Sequence, residues 1–357
     1  MIPKSWTGKV SNPAQIGGIE TSVLDNGAGR GTRIAWINTG TGLRYKVVLD
    51  RAMDIAEAFH NEHSLAWLSH GGITAPEPHI NAGLDWLRTF GGGLLTTCGL
   101  THVGGPEHDE FGERGIHGPI SNLPADIESI IQPDPLAGNL DFSITGRMRE
   151  SRVFGPNLEL KRTISGTLGQ PSIQIQDTVT NRANTPAPHM MLYHFNFGWP
   201  LVDEETRLLW TGDWQAREGG INDQIFRNSH DFRTCPAPLD SHNGTGEAVA
   251  FIDPTPNAAG QCVAGLFNGS LGLALTLRFQ KSQLPWLTNW QHWGRGEYVT
   301  GIEPGTHPPI GQAKARADGS LLFLEPGESR TYEVELQVLT GDDISFGKMS
   351  SLFASSI

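Results

Sequence analysis

Apolar and polar residues alternate with a period of two in several short runs, the spacing that puts one strand face against a core and the other in water. The cleanest is Thr331–Val338, where the alternation is faultless after a turn at Glu325-Pro326-Gly327-Glu328. Leu158–Ile164 and Ile173–Thr180 alternate on either side of a Gly-containing connection and predict an antiparallel pair with one wet face. Leu271–Phe279 places large apolar groups on one face and mostly small ones on the other, as a strand covered on both sides requires. Thr32–Ile37 and Tyr45–Leu49 predict an entry sheet. Helical periodicity is scarce, with short helices expected only over Ile80–Thr89 and in the tail Asp342–Ser355. Between Ser64 and Pro124 the chain is rich in Gly, Pro, His and Trp and lacks a period, so loops are expected there, and loops commonly carry sites. The 44 glycines and 23 prolines are spread throughout, which cuts the chain into many strands and predicts an all-β architecture of large antiparallel sheets.

One run breaks the rule that a buried strand is apolar. Pro188-His189-Met190-Met191-Leu192-Tyr193-His194-Phe195-Asn196-Phe197-Gly198-Trp199-Pro200 is aromatic-rich, yet the period of two places Leu192, His194 and Asn196 on one face and Tyr193, Phe195 and Phe197 on the other. Buried imidazole and amide groups cost free energy unless they are hydrogen-bonded, so the fold or a ligand must supply partners. A sugar, dense in hydroxyls, is the ligand proposed for this face.

Composition narrows the remaining choices. The 38 acidic and 26 basic residues give a net charge of −12, which opposes binding to nucleic acid or anionic lipid. Cys98, Cys235 and Cys262 are odd in number and widely spaced, which suits a reducing compartment and neither a disulfide framework nor a thiolate zinc site. The first residues have no basic segment followed by an apolar one, and no apolar run is long enough to cross a bilayer, so a cytoplasmic protein is expected. Nothing marks a linker or repeat, and residues 1–357 are expected to form one domain, as a monomer or homodimer, with no cofactor.

Three motifs join a titratable group to residues that pack closely. Gly115-Ile116-His117-Gly118 exposes an imidazole between glycines, His194 with Asn196 lies on the polar face above, and Gly301-Ile302-Glu303-Pro304-Gly305 holds a carboxylate. Singly, each has a plainer reading: a loop histidine, favoured over a ligand contact for His117, a satisfied core network, as good as a site for His194 with Asn196, and a solvated turn, the usual case for a lone Glu. Together they match the needs of the anomeric carbon, where opening a cyclic hemiacetal takes a base for the O1 proton and an acid for the ring oxygen. The aromatic run Trp286–Trp293 supplies Asn289, Trp290, Gln291 and His292 as substrate contacts, and Trp67, Trp86 and Trp199 are further stacking candidates, although core packing accounts for most tryptophans.

With these residues the chain resembles the aldose 1-epimerase (galactose mutarotase) superfamily, in a bacterial mutarotase-like branch. Gly115-Ile116-His117-Gly118 is similar to its Gly-x-His-Gly segment, His194-Phe195-Asn196 to its His-x-Tyr-Phe-Asn strand, Ile302-Glu303-Pro304 to the segment holding its catalytic glutamate, and Leu324-Glu325-Pro326-Gly327-Glu328 to the turn before its closing strand. The resemblance implies a β-supersandwich with the sugar in a cleft on one sheet, Glu303 as general base, His194 as general acid and His117 as a partner of the ring oxygen. The family strand carries its acid four residues before the Asn, whereas His194 lies two before Asn196, the same face but ~7 Å further along the strand. A role for His194 in binding alone therefore stays open. Arg51 and Arg88 are candidates for hydroxyl or carboxylate contacts, with structural ion pairing as the alternative. Two other readings are a non-catalytic sugar-binding or sensing protein on the same fold, and a metal-dependent sugar isomerase using histidines such as His60, His63, His102 and His108, whose spacing matches no metal template.

Overall fold

The computed structural model describes residues 8–227, 231–341, 344 and 346–349. Two large antiparallel sheets face each other. The first has twelve strands; its main path runs Gly18–Val23, Arg33–Asn38, Leu43–Val48, Asp54–His60, Leu95–Leu100, Ala187–Gly198, Glu297–Gly305, Trp286–Gly294, Ala248–Pro254 and Gly212–Ala216. The second has eight, in the order Arg207–Leu209, Gln261–Asn268, Leu273–Gln280, Ser329–Thr340, Ser172–Asn181, Asn157–Thr167, Asp141–Ser151 and Asp126–Ile131. The strands expected from alternation are present, and Asn157–Thr167 pairs antiparallel with Ser172–Asn181.

Between the sheets lies one continuous apolar core, to which Tyr193, Phe195 and Phe197 contribute from the first and Ile164, Ile175, Leu277 and Val334 from the second. A buried ionic clasp crosses it. Arg162 forms a two-pronged pair with Asp177 at 2.9 and 2.7 Å, reaches Asp54 at 3.1 Å and donates to the Thr97 hydroxyl at 2.8 Å, while Tyr193 donates to Asp177 at 2.7 Å. Burial pushes Asp54 up, and Arg162 and the Thr97 hydrogen bonds oppose that shift.

Helix is confined to short turns. Instead of a helix over Ile80–Thr89 there is a single 3-10 turn at Asp85–Arg88, since Pro and Gly break the segment on both sides. Of the tail expected to be helical, 342–355, only 344 and 346–349 are described, the latter as one helical turn. A strand at Leu95–Leu100 lies in the stretch expected to be rich in loops. All six of its residues are buried, so it lacks the alternation that betrays a strand with a wet face. It lies beside Ala187–Gly198 at the centre of the first sheet.

Candidate active site

The outer face of the first sheet carries the polar groups. Antiparallel pairing of Leu192 with Gly305 and Phe195 with Ile302 sets His194 opposite Glu303, and the flanking registers add Thr96 beside His194 and Thr288 beside Glu303. These side chains therefore form one row across four strands and point the same way. His194 Nε2 stands 3.4 Å from Glu303 Oε1, and both side chains are buried. In the next row Asn196 is two residues along from His194, and Gly301 two residues back from Glu303.

Gly301 is the residue that makes room. A Cβ there would lie 2.2 Å from Glu303 Oε1, so the carboxyl occupies space that any side chain would fill. Gly301→Ala, at a position with ordinary backbone angles, is expected to displace the Glu303 carboxyl, read from a crystal structure of the variant, with the folded circular-dichroism spectrum retained.

His117 arrives from a loop. Its backbone is left-handed, at φ 60°, and its N–H donates to Gly104 O while its carbonyl accepts from Gly99. Flanking side chains are forbidden: a Cβ on Gly115 would lie 2.7 Å from Ala82 N, and one on Gly118 2.4 Å from Gly99 O. This strained position aims the ring at the row, 6.0 Å centroid to centroid from His194. Aromatic rings complete the surroundings: Trp86, Phe90 and Trp290 lie 6.4, 5.4 and 5.4 Å from the His194 ring, and Trp67 bridges Phe90 and Trp290 at 5.9 and 6.3 Å.

The protein leaves this row short of hydrogen bonds. His117 Nδ1, His194 Nδ1, Asn196 Oδ1, Thr288 Oγ1 and Glu303 Oε1 are buried without a partner. Such groups are costly unless a ligand satisfies them. Burial also sets their charge. It pushes Glu303 well above the usual carboxyl range, helped by Glu247, and lowers His194 to about 4; His117 falls well below its ordinary value through burial and the neighbouring imidazoles. Burial thus favours the neutral carboxylic acid at Glu303 and the neutral imidazole at His194 over their charged forms.

The other expected contacts divide. Trp290 and His292 share the outer face: Trp290 Nε1 donates to Glu247 at 2.8 Å, and His292 donates through Nδ1 to Gly246 O at 2.6 Å and lies 3.6 Å from Glu297. Asn289 and Gln291 point the other way, toward the core. Asn289 donates to Thr300 and to Gly301 O, and Gln291 donates to Asn289 and Phe232 O and accepts from Trp293, so the structure does not bring either to the site. Their odd positions on the strand decide it, since Leu287 and Trp293 on the same side belong to the core. Arg51 is buried, with Nε on Ser121 O and Nη1 on Thr74, and Arg88 extends into solvent beside Asp85. Thr96, Thr288, Phe90 and Gly301 were not singled out as site residues from sequence; for Gly301 and Thr288, counting by twos across paired strands from Glu303 is the signal that finds them. Among the described residues no three His, Cys, Asp or Glu side chains are grouped to hold a metal ion.

Two opposed antiparallel sheets of this size and order give the chain a galactose mutarotase-like β-supersandwich fold. The chain belongs to the family of the domain of unknown function DUF4432, whose match covers residues 29–338. No curated protein matches it by sequence. Among solved structures it is similar to a protein of Klebsiella pneumoniae provisionally named an aldose 1-epimerase, with 22% identity over 95% of this chain and 86% of that one and a TM-score of 0.79. It is also similar to a galactose mutarotase-like protein of Clostridium acetobutylicum (13% identity, 90% and 98% covered, TM-score 0.60) and to the galactose 1-epimerase of Lactobacillus acidophilus (13%, 90% and 99%, 0.58). At these identities the likeness concerns the fold.

Proposed function

We propose that the polar row on the outer face of the first sheet binds a monosaccharide and interconverts its anomers, with Glu303 and His194 as the acid–base pair and His117 as a partner of the ring oxygen. The observation that carries this reading is the carboxyl–imidazole pair 3.4 Å apart, with His117 Nδ1 and Thr288 Oγ1 buried beside it and making no hydrogen bond. A sugar's hydroxyls meet that demand, and O1 and the ring oxygen sit on the same carbon, so the two groups that act on them must be neighbours.

Protons balance as follows. A bound sugar donating O1–H to Glu303 and accepting at its ring oxygen favours the ionised pair, with the shared proton on His194. Glu303 then takes the O1 proton while His194 protonates the ring oxygen, and the C1–ring oxygen bond breaks to give the aldehyde. The pair is left as neutral carboxylic acid and neutral imidazole, the form that burial favours. Rotation about C1–C2 and the reverse transfers close the ring on the other face. No metal or redox group is needed for this step, and Trp290 and His292 stand beside the pair as contacts for the rest of the sugar.

The test is anomer exchange by NMR saturation transfer across a panel of free sugars. Acceleration of at least one is expected; binding without acceleration would leave a sugar-binding protein in its place. The pH profile of kcat/KM is expected to hold level across neutral pH and to fall on the acid side near pH 4, where His194 takes a second proton onto the pair. On the alkaline side it falls once the Glu303 carboxyl, its pKa raised by burial, releases its proton.

A further inference from the structure

Beyond the reactive row, toward Leu192, the outer face turns from polar to apolar. Trp86, Cys98, Met190 and Leu192 form a buried cluster closed by Ala315 and Leu321, with Phe90 and Ile116 packed against it. Leu192 stands four residues before Asn196 on the same strand face, one row from His194. His117 belongs to this side as well, its ring 5.0 Å from Trp86, and Phe90 stacks on Trp86 at 4.4 Å while touching the His194 ring edge-on at 5.4 Å. The opposite side of the row is polar, with Asn196 followed by Trp290, His292 and Glu247. The two sides of the acid–base pair therefore differ sharply in character.

We infer that the substrate is a neutral pyranose whose carbon-5 carries no hydroxymethyl, carboxylate or phosphoester group: a 6-deoxyhexose or a pentose. This rests on the proposed roles of His194, His117 and Glu303. With the ring oxygen on the two imidazoles, carbon-5 and its substituent lie on the Trp86–Phe90 side, while carbon-2 and carbon-3 hydroxyls turn toward Asn196 and Trp290. A hydroxyl at carbon-6 then loses its water against apolar groups and gains no partner, whereas a methyl or hydrogen is accommodated. Charge points the same way. All four ring neighbours of His194 are uncharged, and the arginines nearest the row already have partners, Arg51 on Ser121 and Thr74, Arg88 on Asp85 and Arg217 on Glu247.

The experiment uses the wild-type chain and matched pairs: 6-deoxyglucose with glucose, 6-deoxygalactose with galactose and 6-deoxymannose with mannose, together with xylose, arabinose, galacturonate and glucose 6-phosphate. Dissociation constants come from NMR titration and exchange rates from saturation transfer. A hydrophobic pocket rejects an added hydroxyl by at most about 10²-fold, so a preference of about 10- to 10²-fold for the deoxy member of at least one pair, or for a pentose over the matching hexose, is expected, with the charged sugars weakest. Equal or better handling of the parent hexoses or charged sugars, or binding of no sugar, overturns the inference. A deoxy preference in binding with no accelerated exchange upholds the substrate class and overturns the epimerase reading, so the two fail separately.

Discussion

Glu303→Gln is expected to lower anomer exchange by about 10²- to 10⁴-fold, the range general acid–base catalysis supplies, while the dissociation constant for the sugar changes little. The amide keeps the shape that fits over Gly301 and still accepts a hydrogen bond through its oxygen, but it cannot take the O1 proton. Because burial disfavours the charged form of the native carboxyl, the neutral amide suits the same surroundings, and the folded circular-dichroism spectrum is expected to be retained. Polarimetry of a freshly dissolved pure anomer gives the rate and titration gives the binding. Wild-type exchange in this variant would take Glu303 out of the mechanism.

The second large effect concerns the clasp beneath the site. Arg162→Met is expected to cost about 3–5 kcal/mol, read from denaturant unfolding, because it strands two buried carboxylates that share one guanidinium. Asp177 is fully buried and Asp54 nearly so, and the other hydrogen bonds to them come from neutral hydroxyls and the Thr97 amide. Arg162→Met combined with Asp177→Leu should recover part of the loss, since two apolar residues replace half of an expensive polar network. The clasp also joins the sheets directly under the reactive row: Thr97 and Tyr193 are the inward-facing neighbours of Thr96 and His194. A cost below 1 kcal/mol would mean that packing alone holds this region.

The fold was legible because its half-wet strands announce themselves. Thr331–Val338 and the pair Leu158–Ile164 with Ile173–Thr180 alternate by two and became strands of the second sheet in the expected pairing. Leu95–Leu100 escaped because both of its faces are buried and its sequence, Leu-Thr-Thr-Cys-Gly-Leu, has neither alternation nor a run of β-branched residues. The faces of the Ala187–Gly198 strand were readable from parity, and so was the direction of Asn289 and Gln291, had the apolar Leu287 and Trp293 been used to orient that strand. What sequence alone could not give is register. That His194 lies opposite Glu303, and not one pleat away, follows from how two strands more than a hundred residues apart pair, and hydrogen-bonded pairing has no local signature. The environment of Arg51 and Arg88 was likewise invisible, because each is decided by loops that sequence periodicity does not describe.

The most direct test of the central claim is a crystal structure with a sugar soaked into the cleft. A pyranose is expected with O1 within hydrogen-bond distance of Glu303, its ring oxygen facing His194 and His117, and carbon-5 toward Trp86 and Phe90. A sugar bound with its anomeric carbon away from both Glu303 and His194 would contradict it.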